Sequence, residues 1–356
     1  MREIRPSGSE GGAGLRPRSY LYRSGHPARS RQLANAIACQ MREVTVASAH
    51  MKCRSVLTAM ACCSLAASAQ SSKVALPDSA QAPNPSLPDF DAARVTFRET
   101  GDLDLGQGQG RLNITQFEVR SVLSRPISLA DGWLVVPLAE FTQTTLSVHD
   151  SPASSPFHDD DLYSIGLSAF AVHMSQSSPW LYGAWGRAEL ASDFQHVTSD
   201  AFTFDLAAGG GYRFNDAFIL GFGAAVFNLN GNLTCYPAIA FDWIVNDALR
   251  VGLYGPTFVT SYTYSPDWVF SFRAKAGGGV WNVTDAAGNS RAIDLTTYQL
   301  GVFADRHLFD KLWLSAGVGL TVGNTLDYTT PHGDTLFERA PEAGVFGQIG
   351  LRLKAW

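Results

Sequence analysis

Residues 202–214 read Phe202-Thr203-Phe204-Asp205-Leu206-Ala207-Ala208-Gly209-Gly210-Gly211-Tyr212-Arg213-Phe214, and the run has a period of two. Phe202, Phe204, Leu206, Ala208, Gly210, Tyr212 and Phe214 share one face; Thr203, Asp205, Ala207, Gly209, Gly211 and Arg213 share the other. Successive side chains of a strand point to opposite sides, so the run is a strand dividing two environments. Trp268 to Val280 repeats the pattern, with Trp268, Phe270, Phe272, Ala274 and Ala276 set against Ser271, Arg273, Lys275 and Gly277. Leu312 to Val322 does so again, with Leu312, Leu314, Val318 and Leu320 set against Ser315, Gly317, Gly319 and Thr321.

A soluble sandwich also alternates, so the polar faces decide between the two architectures. Here they are rich in Gly, Ser and Ala, with scattered charges, where a sheet facing bulk water would carry many Lys, Glu and Thr. The apolar faces are continuous and aromatic. Lipid outside and a polar lumen inside fit this arrangement.

The turns agree. Tight turns are expected at Ala130-Asp131-Gly132, Ser177-Ser178-Pro179, Asn215-Asp216, Asn246-Asp247, Ser265-Pro266-Asp267 and Phe309-Asp310-Lys311. Longer connections are expected at 101–110, 148–161, 191–200, 227–232, 283–291 and 324–341, with a short one at Gly255-Pro256. Short turns at one end and long loops at the other mark an outer-membrane barrel. The fold expected is therefore all-β, a transmembrane antiparallel up-and-down barrel of about 14 strands. Twelve is the fallback if the short pair around Gly255 does not cross.

Trp133, Trp180, Trp243, Trp268 and Trp313 each lie within a few residues of an expected tight turn. Indoles gather at the membrane–water boundary, which reads these five as interface aromatics. Arg187, Glu189, Asp205, Arg213, Asp242, Arg250, Arg273, Lys275, Asp294 and Asp305 are the lumen-facing candidates. Rings of charge set ion preference in pores, but both signs occur here, and internal salt bridges would close such a lumen equally well.

The N-terminal part is of another kind. Residues 1–50 carry eight Arg and little periodic hydrophobicity, and read as a disordered leader or an over-extended start of the reading frame. Residues 51–69 show Lys52 and Arg54, an apolar stretch from Val56 to Leu65, and Ala67-Ser68-Ala69, the pattern of a secretory signal. Residues 70–90 hold Pro77, Pro83, Pro85 and Pro88 and suit an extended linker, leaving 91–356 for the barrel. Export also fits the cysteines, because only Cys235 lies outside the segments to be removed. Charged residues make up 17% of the chain, below the roughly 25% of soluble domains, and nowhere do about 18 apolar residues run together. A polytopic helical membrane protein is thereby excluded. Without residues 1–69, 17 basic residues remain against 29 acidic ones, so the formal net charge of -5 conceals a charge of -12 over residues 70–356.

Two stretches carry a resemblance. Gln348-Ile349-Gly350-Leu351-Arg352-Leu353-Lys354-Ala355-Trp356 resembles the C-terminal assembly signal of bacterial outer-membrane barrels, with Gly350, Leu353 and Trp356 as its marks, although Trp356 is out of phase with Leu351 and Leu353. Tyr236-Pro237 through Trp243, then Asn246-Asp247, Leu249 to Pro256, Tyr262, Pro266 and Trp268, resembles an outer-membrane barrel family of unknown function. The resemblance implies the bacterial outer membrane as location, and the lipid bilayer and the outer-membrane assembly machinery as partners.

Chemistry is sparse. Gly106, Gly108 and Gly110 space like part of a dinucleotide fingerprint without its strand-to-helix context, and read as a loop. His158-Asp159-Asp160-Asp161 reads as an exposed acidic loop more readily than as a cation site. No catalytic constellation, metal site or cofactor is expected, and no nucleic acid. The expected function is a pore or transporter for small solutes. The alternatives are a structural or surface-interaction barrel acting through its long loops, and a lipid-modifying enzyme built on a Ser/His pair.

Overall fold

The computed structural model describes residues 91–106, 108–129, 132–152, 159–174, 178–229, 232–285, 288–330 and 333–354. The leader, signal and linker, together with His158 and Trp356, lie outside them. In chain order the strands are β1 (Asp91–Asp104), β2 (Arg111–Val122), β3 (Ile127–Ser128), β4 (Trp133–His149), β5 (Asp160–Met174), β6 (Trp180–Ser192), β7 (Phe202–Asn215) and β8 (Phe218–Leu229). They continue as β9 (Asn232–Ile244), β10 (Leu249–Tyr254), β11 (Thr257–Ser265), β12 (Trp268–Thr284), β13 (Ser290–Phe309), β14 (Leu312–Thr329), β15 (Thr335–Arg339) and β16 (Gly344–Lys354).

Fourteen of these form one closed antiparallel barrel; β3 and β15 are short additions paired to β4 and β14. Closure comes from β1 against β16, with Phe97 opposite Ile349 and Asp91 opposite Lys354. Closure gives each barrel strand a neighbour on both sides, which removes the two fully open edges of a free sheet. An even strand number brings both ends to one rim, and Leu353 there pairs with Leu312 just after the turn at Asp310–Lys311.

Phe202–Asn215 forms β7 as its periodicity requires, with Phe204, Leu206 and Phe214 exposed and Asp205, Ala207 and Arg213 partly covered. The pair flanking Gly255 is present, though β10 has six residues and β11 nine. Other strands overshoot a bilayer crossing: β12 has 17 residues, β14 18 and β13 20, against the roughly nine to eleven needed. The excess lies at the long-loop end. As a result β14 continues through 324–329, where a loop is expected from sequence, and β15 pairs against this extension.

Inside that end sits the apolar core. Leu103, Leu105, Leu112, Ile114, Leu146, Leu162, Ala191, Trp281, Val283, Ile293, Leu295 and Leu326 form one buried cluster drawn from eight barrel strands and the β1–β2 loop. These residues lie at or near the β1–β2, β4–β5, β6–β7, β12–β13 and β14–β15 connections and fill the mouth on that side of the barrel.

Candidate functional site

The barrel wall has two unlike faces. Outward positions are apolar yet open, with Phe222 61% and Val345 64% exposed, while Arg98 and Phe346 on the inward face are 6% and 1% exposed. A continuous exposed band of Val, Leu, Ile, Phe and Tyr is a surface that water covers only at a cost.

The inward polar positions of β1, β2, β4, β12, β13 and β16 are tied together. Arg94 donates to Glu118 at 2.5 Å, and Arg120 pairs with Glu140 at 3.2 Å. Arg352 donates through Nε to both oxygens of Asp91, at 3.1 and 3.0 Å, and through Nη1 to Asp305 at 3.3 Å. Arg273 donates to the same Asp305 Oδ2 at 2.7 Å and lies over the Phe303 ring, 4.4 Å from its centre. Arg98 differs in bonding to neutral oxygens: Gln348 Oε1 at 2.9 and 3.1 Å and Gln116 Oε1 at 2.9 Å. These pairs are cross-strand neighbours or near-neighbours, as the register of β1 with β2 and β16 dictates.

The inward face of β6 to β10 is built from different residues. Gly183, Gly209, Gly223 and Ala238 follow one another in register across β6, β7, β8 and β9. Ala207 opposite Ala225, Gly211 opposite Gly221, and Ala240 continue this wall of minimal side chains. A Cβ on Gly209 would come within 2.5 Å of the Phe222 carbonyl, and one on Gly223 within 2.4 Å of the Ala208 carbonyl. β7 and β8 therefore approach too closely for any larger residue there. Tyr236 and Tyr254, on the same inward face, remain 46% and 42% exposed.

A third feature joins these two sectors. Beyond Lys275 the edge of β12 has no partner on β11, because the β10–β11 hairpin ends at Gly255–Pro256. At Gly278, φ is +113° and a Cβ would lie 1.8 Å from the Leu295 carbonyl, so only glycine fits. Past this point β12 pairs with β6 instead, Asn282 opposite Ser192, although five strands separate the two around the barrel. Asp193 N–H donates to the Asn282 carbonyl at 3.2 Å, and Thr284 N–H to Asp193 Oδ2 at 2.9 Å. Trp281, 2% exposed, donates from its indole nitrogen to Ser164 Oγ on β5 at 3.0 Å. The loop end of the β12–β13 hairpin thus bridges the mouth.

Of the ten charged residues singled out from sequence, Arg187 and Glu189 pair with each other on β6, with Asp205 opposite Arg187 on β7. Arg213 lies further along the same face of β7. Arg250 donates to both oxygens of Asp242, at 2.7 and 2.5 Å, and Arg273 joins Asp305. Lys275 borders a cavity with Arg98 and Glu118. Asp294 is a correction: it alternates with buried Ile293 and Leu295 and stands opposite Asp327, so it is on the outward face. Its part of β13 lies in the overshoot, where water replaces lipid and an outward charge costs little. Trp133, Trp180 and Trp268 open their strands, Trp313 is second in β14 and Trp243 nearly closes β9, all at the tight-turn rim; Trp313 is a further correction, because it stands opposite inward-facing Arg352 and shares the lumen face with Ser315. Trp180 meets Tyr212 edge-on at 5.0 Å, and Lys354 sits 4.5 Å above Trp313. Gly350 pairs with Thr96 and Ser315; Leu353, on the other face, pairs with Ala93 and Leu312.

Sequence reasoning passed over Asp91, Arg94, Arg98, Glu118, Arg120, Glu140 and Arg352. The signal was present, since Arg94, Thr96 and Arg98 alternate with Val95 and Phe97 under the same period-two rule. Trp281 had no such signal, because an aromatic at an inward position reads as filler.

Residues 105–354 match the model of a family described as a domain of unknown function (DUF6268). The chain belongs to that family. No curated protein matches it. Among solved structures the chain is similar to the KdgM porin in complex with disordered oligogalacturonate, at 8% identity and a TM-score of 0.31, over 74% of this chain and 99% of that one. It is also similar to the P. putida toluene transporter TodX, at 8% identity and a TM-score of 0.33, over 76% and 92%. The beta domain of the Bordetella autotransporter BrkA gives 13% identity and a TM-score of 0.30, over 74% and 99%.

Proposed function

We propose that the chain is a bacterial outer-membrane pore that passes small solutes along the glycine- and alanine-lined sector between β6 and β10. The observation that carries this reading is that inward wall, where Gly209, Gly211, Gly221, Gly223, Ala238 and Ala240 extend nothing beyond a methyl group into a closed barrel. The exposed apolar band supports insertion into a bilayer, with Trp133, Trp180, Trp243 and Trp268 as its interface girdle. The pattern at 51–69 supports export, and the C-terminal strand supports handling by the assembly machinery. Arg187, Glu189, Asp205, Arg213, Asp242, Arg250, Arg273, Lys275 and Asp305 are on this reading lumen-facing charges, mostly engaged in pairs.

A second reading has an observation of its own. The apolar cluster and the bridging hairpin fill one side of the mouth, as a structural or surface-binding barrel would need. The enzymatic alternative finds less support. His307 gives its two ring nitrogens to Asp267 and to the Asp310 carbonyl, and His173 packs against Trp133 and Tyr182, so neither is poised on a nucleophile.

Planar-bilayer recording on the refolded protein separates the first two. The pore reading expects discrete conductance steps. A folded, heat-modifiable barrel that never conducts would leave the structural reading in its place.

A further inference from the structure

We infer that the cavity enclosed by β1, β2, β4 and β12 is a binding site for a small monovalent anion, held between Arg98 and Lys275. The cavity measures about 120 Å³ and is lined by both cations together with Glu118, Gln116, Thr96 and Thr142. It lies on the filled side of the barrel, beneath the kink of β12 at Gly277–Gly278.

The charges around this cavity do not balance without a ligand. Every carboxylate of the surrounding network is already engaged: Glu118 by Arg94, Glu140 by Arg120, Asp91 by Arg352, and Asp305 by Arg273 and Arg352. Arg98 and Lys275 are left over. Arg98 is 6% exposed, bonds only to the amide oxygens of Gln116 and Gln348, and cannot shed its proton. Lys275 forms no salt bridge among the described residues, so the cavity holds one fixed cation and one amine free to carry a proton beside a carboxylate that Arg94 already shares. Water and amide dipoles solvate such charges without neutralising them, whereas a counter-ion removes the cost of burying them. Glu118 at the cavity wall repels a polyanion, and the space fits a halide or a short monocarboxylate with a few waters. The site lies in the occupied sector, apart from the small-residue wall, so it does not depend on conduction.

The test uses the full refolded barrel crystallised in sodium bromide. Anomalous scattering is expected to show a bromide between Arg98 and Lys275, displaced by excess acetate, retained in Lys275→Arg and lost in Lys275→Met. Heat-modifiable migration confirms that each variant is folded, with Lys275→Gln as the substitute if Lys275→Met is not. Wild-type crystals without a bromide there, or an undiminished peak once the lysine is gone, would overturn the assignment. A silent bilayer would remove the pore reading alone, and the bromide map would still decide the site.

Discussion

The two sides of this barrel share one backbone design and differ in what their inward positions carry. From β12 through β1 to β6, alternate residues bring Arg, Glu, Gln and Thr at mid-height and Leu, Ile and Trp at the loop end, and the interior is occupied. At mid-height from β7 to β9 the corresponding positions hold Gly and Ala, bordered by Trp185 on β6 and by Tyr236 and Tyr254, the two tyrosines left exposed. In a closed barrel the outward face is fixed by lipid, so the inward face alone sets whether a sector is core or passage.

The comparison can be broken from either side. The largest effect is expected from filling the open sector: Ala238→Trp, at the centre of the small-residue wall, should lower single-channel conductance by about an order of magnitude or more. Next comes emptying the other sector. Trp281→Ala removes the indole that reaches from β12 to Ser164, and should cost about 3–5 kcal/mol in urea unfolding of the inserted barrel. It should also raise conductance by loosening the bridge across the mouth. Asp193→Ala removes the carboxylate that accepts the Thr284 amide and leaves the indole in place, at a cost of about 1–2 kcal/mol with a smaller conductance gain. The least effect is expected at the rim, where Trp180→Ala loses its edge-on contact with Tyr212 and about 1 kcal/mol, leaving conductance unchanged.

The architecture was legible because lipid imposes a strict rule on each strand. The run at 202–214 shows both faces in thirteen residues, and the positions of the tight turns gave the strand number. The same rule extended to β1 and β2 would have found Arg94, Arg98 and Glu118, which were overlooked because the alternation in Val95 to Phe97 is brief before the bulge that follows Thr100. Asp294 was misassigned for a physical reason: inside and outside carry distinct polarity only within the bilayer, and β13 continues well past it. The bridge could not be read from β12 at all. It depends on the shortness of β10 and β11, which frees the β12 edge beyond Lys275, and on Gly278, which lets the strand turn inward. These are relations between strands, and a period within one strand does not contain them.

On the pore reading, solutes pass along the wall between β6 and β10 and not through the opposite sector. Cysteine accessibility in the conducting channel tests it most directly, in a Cys235→Ser background that removes the exposed native thiol. A charged methanethiosulfonate reagent should block current rapidly through Ala238→Cys and leave Thr297→Cys, on the buried inward face of β13, unaffected. Block at Thr297→Cys with none at Ala238→Cys would contradict the account.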